Sequence, residues 1–416
     1  MKLKAIRGTK DIFGNDIFKF DKVINTAKKV FLNFGYENII TPIFEKTELF
    51  QRGIGEETDV VEKEMYTFDD KGGRSITLRP EGTASIVRSY LEHKIYGKEN
   101  FTKYFYYGPM FRYERPQAGR YREFYQVGVE TFGENDPALD AEIISMGYIF
   151  ANKLGINDLE IQINSLGNSK NRQDYQKELK KYIESKYEGL CSDCQRRYLK
   201  NPLRVLDCKN EKCKTELKEA PLMIDFLDEE SKQHYTDLKR YLSELGVPYI
   251  ENPKLVRGLD YYTDTVFEIV TKKLGAQGTV LAGGRYNKLL EEIGNKSIPA
   301  IGFAAGVERL MLLLDNDETE KKIEVFIAWQ GNENKSFSLK MANELRKNDI
   351  NAVILFEEKS LRAQMKKASK LKVKYVIIIG EEEKNNEILS FKEYDTGKQS
   401  KHPINEIIEK IKEEKK

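Results

Sequence analysis

Between Phe111 and Phe132 the chain reads FRYERPQAGRYREFYQVGVETF, a run whose charges folding alone does not require. Two stretches of strand character flank a short Pro/Gly loop, which predicts a β-hairpin with an enlarged tip. Side chains alternate faces along a strand, so Phe124, Gln126, Gly128 and Glu130 share one face of the returning strand. Tyr125, Val127, Val129 and Thr131 share the other, which has the composition of core. The first face offers a flat ring, an amide, a bare backbone and a carboxylate. Arg112, Arg115, Arg120 and Arg122 add guanidinium groups from the first strand and the tip. A floor of that kind suits a ligand with phosphates at one end and a cation at the other. The plainer reading is a solvated hairpin whose charges pair with each other.

Four further segments supply matching parts. In LRPEGT (78–83), Glu81 and Thr83 offer acceptors for an ammonium group. In LVRGLDYYTDTVFE (255–268), Arg257 falls on a turn, and Tyr261 and Tyr262 open a strand. The paired glycines of AGGRY (282–286) allow close backbone approach to a ligand, with Tyr286 beside them. In IGFAAGVERLMLLL (301–314), a strand and glycine turn lead into an apolar helix, and Arg309 near its start can reach a ligand. Each segment alone also reads as a cap, packing or a turn. The three histidines, His93, His234 and His402, have no nearby Ser, Cys or metal-ligand motif, so histidine-based catalysis is not expected.

These residues need a scaffold. Apolar residues at helical spacing predict an amphipathic helix over 16–34, capped by Asn15 or Asp16 and ended by Gly35. A strand at Tyr36–Ile40 follows, stopped by Pro42. Strand and helix patterns over 79–161 and 255–314 predict one mostly antiparallel sheet flanked by helices. The Lys-, Glu- and Tyr-rich span between them predicts a mainly helical insertion. After a charged linker at Asn316–Lys322, strand–helix alternation predicts a separate α/β domain. The layout is therefore α+β followed by α/β. Residues 1–168 and 251–318 form the two parts of the first domain, 169–250 its insertion and 322–416 the last domain.

Charged residues make up 33% of the 416 residues, yet the net charge is only +2. Bulk attraction to a polyanion is thus excluded, and any nucleic-acid binding must come from local patches. The N-terminus lacks a signal-peptide core and no stretch reaches membrane-span length, so a cytoplasmic location is expected. All four cysteines lie in the insertion, as Cys191-x₂-Cys194 and Cys208-x₄-Cys213. That spacing fits a structural Cys₄ zinc site. It fits four reduced thiols about equally well, and both readings stand open.

The segments in this order resemble the class II aminoacyl-tRNA synthetases. Helix, strand and proline are similar to motif 1, the Phe-Arg-x-Glu hairpin to motif 2, and GFAAGVERL to motif 3. The Arg-Pro-Gln tip with Gly-Arg-Tyr-Arg-x-Phe, LVRGLDYY and AGGRY resemble the bacterial histidyl-tRNA synthetases over nearly the whole chain. The resemblance implies the class II antiparallel sheet and a C-terminal anticodon-binding domain. It implies histidine activation by ATP to histidyl-adenylate and pyrophosphate, then transfer to the 3′ end of tRNA(His), with Mg²⁺ across the outer phosphates. Motif 1 implies a homodimer.

Residue by residue, the resemblance implies Arg112 on the α-phosphate and carboxylate, and Arg257 as a cation between those two groups. It puts Phe124 on adenine, Arg120 near the phosphates and Arg309 on the terminal ones. Glu81, Thr83 and Gln126 would take the ammonium end of histidine. Glu130 and Tyr262 would read the imidazole nitrogens, with Tyr261 and Tyr286 lining the pocket. Arg115, Gln117 and Arg122 would meet the tRNA acceptor end, and Arg362, Lys366, Lys367 and Lys370 would form a basic stripe on the last domain. No general base is needed, because the attacking carboxylate is already ionised at neutral pH. The family continues AGGRY with Asp-Gly, whereas Asn287 and Lys288 follow here. The cysteine span includes NPLRVLDCK, a stretch common in zinc-free relatives. Non-catalytic paralogues typically lack RGLDYY and the last domain, and this chain has both.

Overall fold

Helical spacing of apolar residues in Asn15–Asn33 puts Val23, Ile24, Ala27, Val30 and Phe31 on one buried face. In this computed structural model, the residues described are 3–55, 58, 60–275, 278–315 and 323–415. The expected linker Asn316–Lys322 lies outside them. Gly14, not Asn15 or Asp16, occupies the cap position of the first helix, and no side chain caps it. Asp16 is already helical and pairs with Lys10 at 3.1 Å, while its charge complements the helix N-terminus. Gly35, at φ +79°, turns the chain as expected.

The strand that follows is only β1 (Glu37–Asn38). Next, β2 (Phe44–Lys46), β3 (Tyr66–Asp69) and β4 (Ser75–Leu78) form a small sheet in the order β2-β4-β3. The large sheet adds β5 (Thr102–Phe111), β6 (Glu123–Phe132), β7 (Glu160–Ser165), β8 (Ile250–Glu251), β9 (Thr263–Val270), β10 (Thr279–Arg285) and β11 (Ala300–Gly306) to β1. Its order is β1-β5-β6-β11-β10-β9-β7-β8. Pairing is antiparallel except at the margins, where β1 joins β5 and β8 joins β7 in parallel.

Alternation gives the sheet two unlike faces. Val127, Val129, Phe267, Ile269, Ile301 and Phe303 pack against the helices Asn15–Asn33, Pro137–Lys153 and Glu229–Glu244. The opposite face carries Tyr106, Tyr261, Tyr262, Val266 and Tyr286, which meet Ile86, Val87 and Tyr90 of the helix Thr83–Glu92. The expected split of β6 into a core face and a site face therefore holds.

The span 169–250 is mainly helical but is not one body. Tyr175, Leu179, Ile183, Leu203, Val205 and Leu217 form a core of their own, joined by Cys194 and Cys213. Tyr235, Leu238 and Leu242 of the helix Glu229–Glu244 belong instead to the core of the large sheet.

The chain divides into two compact units between Asp315 and Asn316. The second has β12 (Val325–Trp329), β13 (Ala352–Ile354), β14 (Tyr375–Ile379), β15 (Leu389–Glu393) and β16 (Gln399–His402), ordered β13-β12-β14-β15-β16. The first three strands are parallel and the last two antiparallel, with an apolar cluster on each face. The strand–helix alternation that predicts an α/β domain here corresponds to β12, β13 and β14 with the helices Lys335–Lys347, Leu361–Lys370 and Ile404–Glu413. It misses β15 and β16, because β16 (Gln-Ser-Lys-His) has no apolar run to signal it.

Candidate active site

Along the site face of β6, Phe124, Gln126, Gly128 and Glu130 follow one another as alternation requires. Gly128 is not bare: a Cβ there would stand 2.5 Å from the Tyr106 hydroxyl and 2.7 Å from the Phe303 carbonyl oxygen. The glycine admits the protein's own ring rather than a ligand. AGGRY behaves likewise. A Cβ at Gly283 or Gly284 would run into the Gly302 or Thr265 carbonyl oxygen, so these glycines permit close strand packing.

Beyond Gly128, Glu130 is almost fully buried. Thr83 Oγ1 donates to its Oε1 at 2.7 Å, and the Tyr286 hydroxyl bonds its Oε2. Burial pushes its carboxyl up to about 8, although the bonds from Tyr286 and Thr83 pull the other way. Tyr261 packs against Tyr262 and Tyr286, with ring centroids 4.7 and 5.7 Å away. Glu81, also buried, accepts the Thr83 and Ala84 amides at 2.7 and 2.8 Å. It therefore caps the helix Thr83–Glu92, and burial holds its carboxyl above the usual range despite those bonds. Arg79 is structural, donating to Thr41 and to the Pro109 carbonyl.

Beside this buried cluster opens a cavity of 630 Å³, lined by Arg112, Arg120, Phe124, Gln126, Arg257 and Arg309. Arg112 donates to the Pro80 carbonyl at 2.8 Å, and its guanidinium lies 5.5 Å from the Phe124 ring centroid. Glu114 draws Arg112 to 3.9 Å and Arg120 to 3.1 Å. Arg257 pairs with Glu268, whose Oε2 accepts the Thr279 hydroxyl at 2.9 Å. Burial alone would lower the Arg257 pKa, but Glu268 and the neighbouring tyrosines raise it. Burial and then Arg120 lower that of Arg309. Glu81, Thr83, Glu130, Tyr261, Tyr262 and Tyr286 are not among the residues of the cavity wall. Gln126, on the Glu130 side of β6, lines it.

At the hairpin tip, Arg115 and Gln117 are exposed. Arg122 is not similarly presented. Its amide donates to the Gly8 carbonyl at 2.6 Å, and its guanidinium covers the Tyr113 ring at 3.8 Å. It ties the tip to the N-terminal segment.

Where the Asp-Gly pair is replaced, Asn287 accepts the Ala300 amide at 3.1 Å and donates to Asn135 and Asp264. Lys288, at φ −97°, needs no glycine. The substituted turn thus keeps an ordinary geometry.

Sequence reasoning missed several groups. Glu268 ends the segment that carries Arg257, and Glu308 precedes Arg309, so both stood beside residues already singled out. Both oxygens of Glu308 lie 3.0 Å from the Tyr125 amide, and burial pushes its carboxyl up to about 7. Arg285 is fully buried against Asp140, which also bonds His234 at 2.9 Å. In the second unit, Arg362, Lys366, Lys367 and Lys370 are all exposed on the helix Leu361–Lys370.

Comparison with known proteins places the chain in a family. Residues 8–310 match the family model of histidyl-tRNA synthetase, and 324–414 that of an anticodon binding domain. The histidine–tRNA ligase of Halothermothrix orenii is 52% identical over 415 residues, covering 99% of each chain. That of Aquifex aeolicus is 48% identical over 407 residues, covering 98% of this chain and 100% of its own. The crystal structure of apo S. aureus histidyl-tRNA synthetase aligns with TM-score 0.82 at 39% identity, covering 98% of this chain and 99% of that one. On sequence, domain content and fold, the chain belongs to the histidyl-tRNA synthetase family.

Proposed function

We propose that this chain is a histidine–tRNA ligase, which activates histidine with ATP and transfers it to the 3′ end of tRNA(His). The observation that carries the reading is the cavity in which Arg112, Arg257 and Arg309 converge beside Phe124. In activation, a histidine carboxylate oxygen bonds to the α-phosphorus of ATP. The bond to the bridging oxygen breaks, and pyrophosphate leaves with the electron pair. Both reactants are anions, so charge neutralisation and alignment supply the catalysis. Arg257 serves the carboxylate and α-phosphate together, Arg112 the same phosphate, Arg120 and Arg309 the outer ones, and Phe124 the adenine.

Mg²⁺ prefers oxygen donors, and Glu114, Glu268 and Glu308 on the cavity wall fit that preference. When bound with ATP it would neutralise phosphate charge. Glu81, Thr83 and Gln126 serve the histidine ammonium group. Glu130 and Tyr262 read the imidazole, between Tyr261 and Tyr286. A pocket that hydrogen-bonds both ring nitrogens disfavours side chains that cannot supply those bonds. Arg115 and Gln117 are exposed toward an acceptor end, with Arg122 bracing the tip, and the stripe from Arg362 to Lys370 offers cations to an anticodon stem.

A homodimer through the β1–β2 region is supported by the exposed apolar side chains of Ile40, Ile43, Phe44 and Phe68. Sedimentation at low concentration tests it, and a monomer would exclude it. No helix among the described residues is long and apolar enough to cross a membrane. The test of the reaction is amino-acid-dependent ATP–pyrophosphate exchange. Activity with histidine alone supports the reading, and exchange driven by threonine, proline or glycine instead would overturn it.

A further inference from the structure

The cysteine-bearing part of the insertion is built from pieces too short to stand alone. Its helices Ser192–Lys200, Leu203–Leu206 and Glu211–Glu216 have 9, 4 and 6 residues. Isolated helices of such lengths are unstable in water. The four cysteines fall at their junctions. Cys191 is the cap residue of the first helix and Cys194 lies in its first turn. Cys208 follows the second helix, and Cys213 lies in the third. Although up to 22 residues apart in sequence, their sulfur atoms all lie within 4.8 Å of one another. Cys191 Sγ and Cys208 Sγ are 3.9 Å apart, and the Cys191 amide donates to Cys213 Sγ at 3.2 Å.

A tetrahedral centre with Zn–S bonds of about 2.3 Å sets its sulfur–sulfur edges at about 3.8 Å. The four sulfurs therefore surround room for one ion, and they are too close together to enclose a multinuclear iron–sulfur cluster. A disulfide needs a far shorter separation than 3.9 Å. Four sulfur donors select zinc over magnesium or calcium.

We propose that Cys191, Cys194, Cys208 and Cys213 bind one structural Zn²⁺, which clamps the segment 201–209 against the active site. That segment reaches the loop carrying Arg257 directly: Asn201 donates to Asp260 at 2.7 Å and Arg204 to the Gly258 carbonyl at 2.9 Å. Asp207 and Lys209 line the 630 Å³ cavity itself. The ion acts at a distance from the reacting atoms, fixing one wall of the cavity without touching ligand. Metal content reads this assignment without any turnover, so it fails or survives separately from the reaction proposed above.

The full chain, purified without chelator from zinc-supplemented medium, is expected to carry about one equivalent of zinc per chain by elemental analysis. Its cysteines are then expected to react with a thiol reagent only after a strong chelator is added. Replacing zinc by Co²⁺ is expected to give the thiolate charge-transfer and strong d–d absorption of a tetrahedral sulfur site. Less than half an equivalent of zinc, four freely reactive thiols before chelation, or iron in place of zinc overturns the proposal. Cys208→Ser is expected to lose most of the zinc and unfold at lower temperature. Full zinc retention by a folded Cys208→Ser chain also overturns it.

Discussion

Arg257 and Glu268 form an ion pair within the cavity that also holds Arg112 and Arg309. Glu268 is in turn anchored by the Thr279 hydroxyl at 2.9 Å. The pairing holds the guanidinium against the wall before any ligand arrives, and such preorganisation removes a reorganisation cost from the transition state.

Arg257→Ala is therefore expected to lower histidine-dependent ATP–pyrophosphate exchange by about 10²–10³-fold, the usual cost of one preorganised donor. Far-ultraviolet circular dichroism should be unchanged. Glu268→Gln should cost less, since it loosens the cation without removing it. Turnover within a few fold of the parent in Arg257→Ala would refute its proposed role between the carboxylate and the α-phosphate.

Glu130→Ala is expected to weaken histidine binding more than ATP binding, because Glu130 lies in the tyrosine cluster and off the wall of the arginine-lined cavity. Calorimetric titration with each ligand separates the two effects. Equal losses would displace Glu130 from the imidazole subsite.

The same carboxyl makes stability depend on pH. It titrates at about 8 in the folded chain, against an ordinary value of 4.5. The folded state thus holds an extra proton between those values. Its contribution is full below pH 4.5 and is lost as pH rises toward 8. The slope amounts to at most about 1.4 kcal/mol per pH unit. Glu130→Gln should flatten it in denaturant unfolding measured from pH 5 to 8, and an unchanged slope would assign the proton elsewhere.

Asp140→Ala leaves Arg285 buried without its partner. Breaking a fully buried pair costs about 3–5 kcal/mol, so a marked fall in denaturant midpoint is expected. A shift too small to resolve would mean that the carbonyls of Glu134 and Asp136, which Arg285 also bonds at 3.0 Å, suffice to hold it.

Removing residues 316–416 should spare adenylate formation and abolish efficient tRNA charging, because each unit has its own apolar clusters. Parallel loss of both activities would show that the first unit cannot work alone.

Much of this site is legible in the sequence where the pattern is local. The period of two along β6 sorts Glu130 from Val129 without any structure, and the helix spacing of Val23, Ala27 and Val30 sorts core from solvent. What is illegible depends on partners distant in the chain. Nothing near Arg285 announces Asp140, which lies 145 residues away. Glycines mislead for the same reason: Gly128 and Gly283 mark close approaches, but only the fold reveals that Tyr106 and Gly302 are what approach. Glu81 offers a carboxylate in either reading, and its use as a cap appears only once the helix it caps is in place.

The Glu130 carboxyl group already receives Thr83 and Tyr286, one on each oxygen, so no unpartnered oxygen waits there for the amino acid. On the proposed role, an incoming imidazole must evict a hydroxyl, and its net gain is only the difference between two hydrogen bonds. Histidine should bind modestly for so many contacts, while a side chain with no ring N–H leaves the resident hydroxyls undisturbed and gains nothing. Selectivity then comes from competition with the protein's own groups.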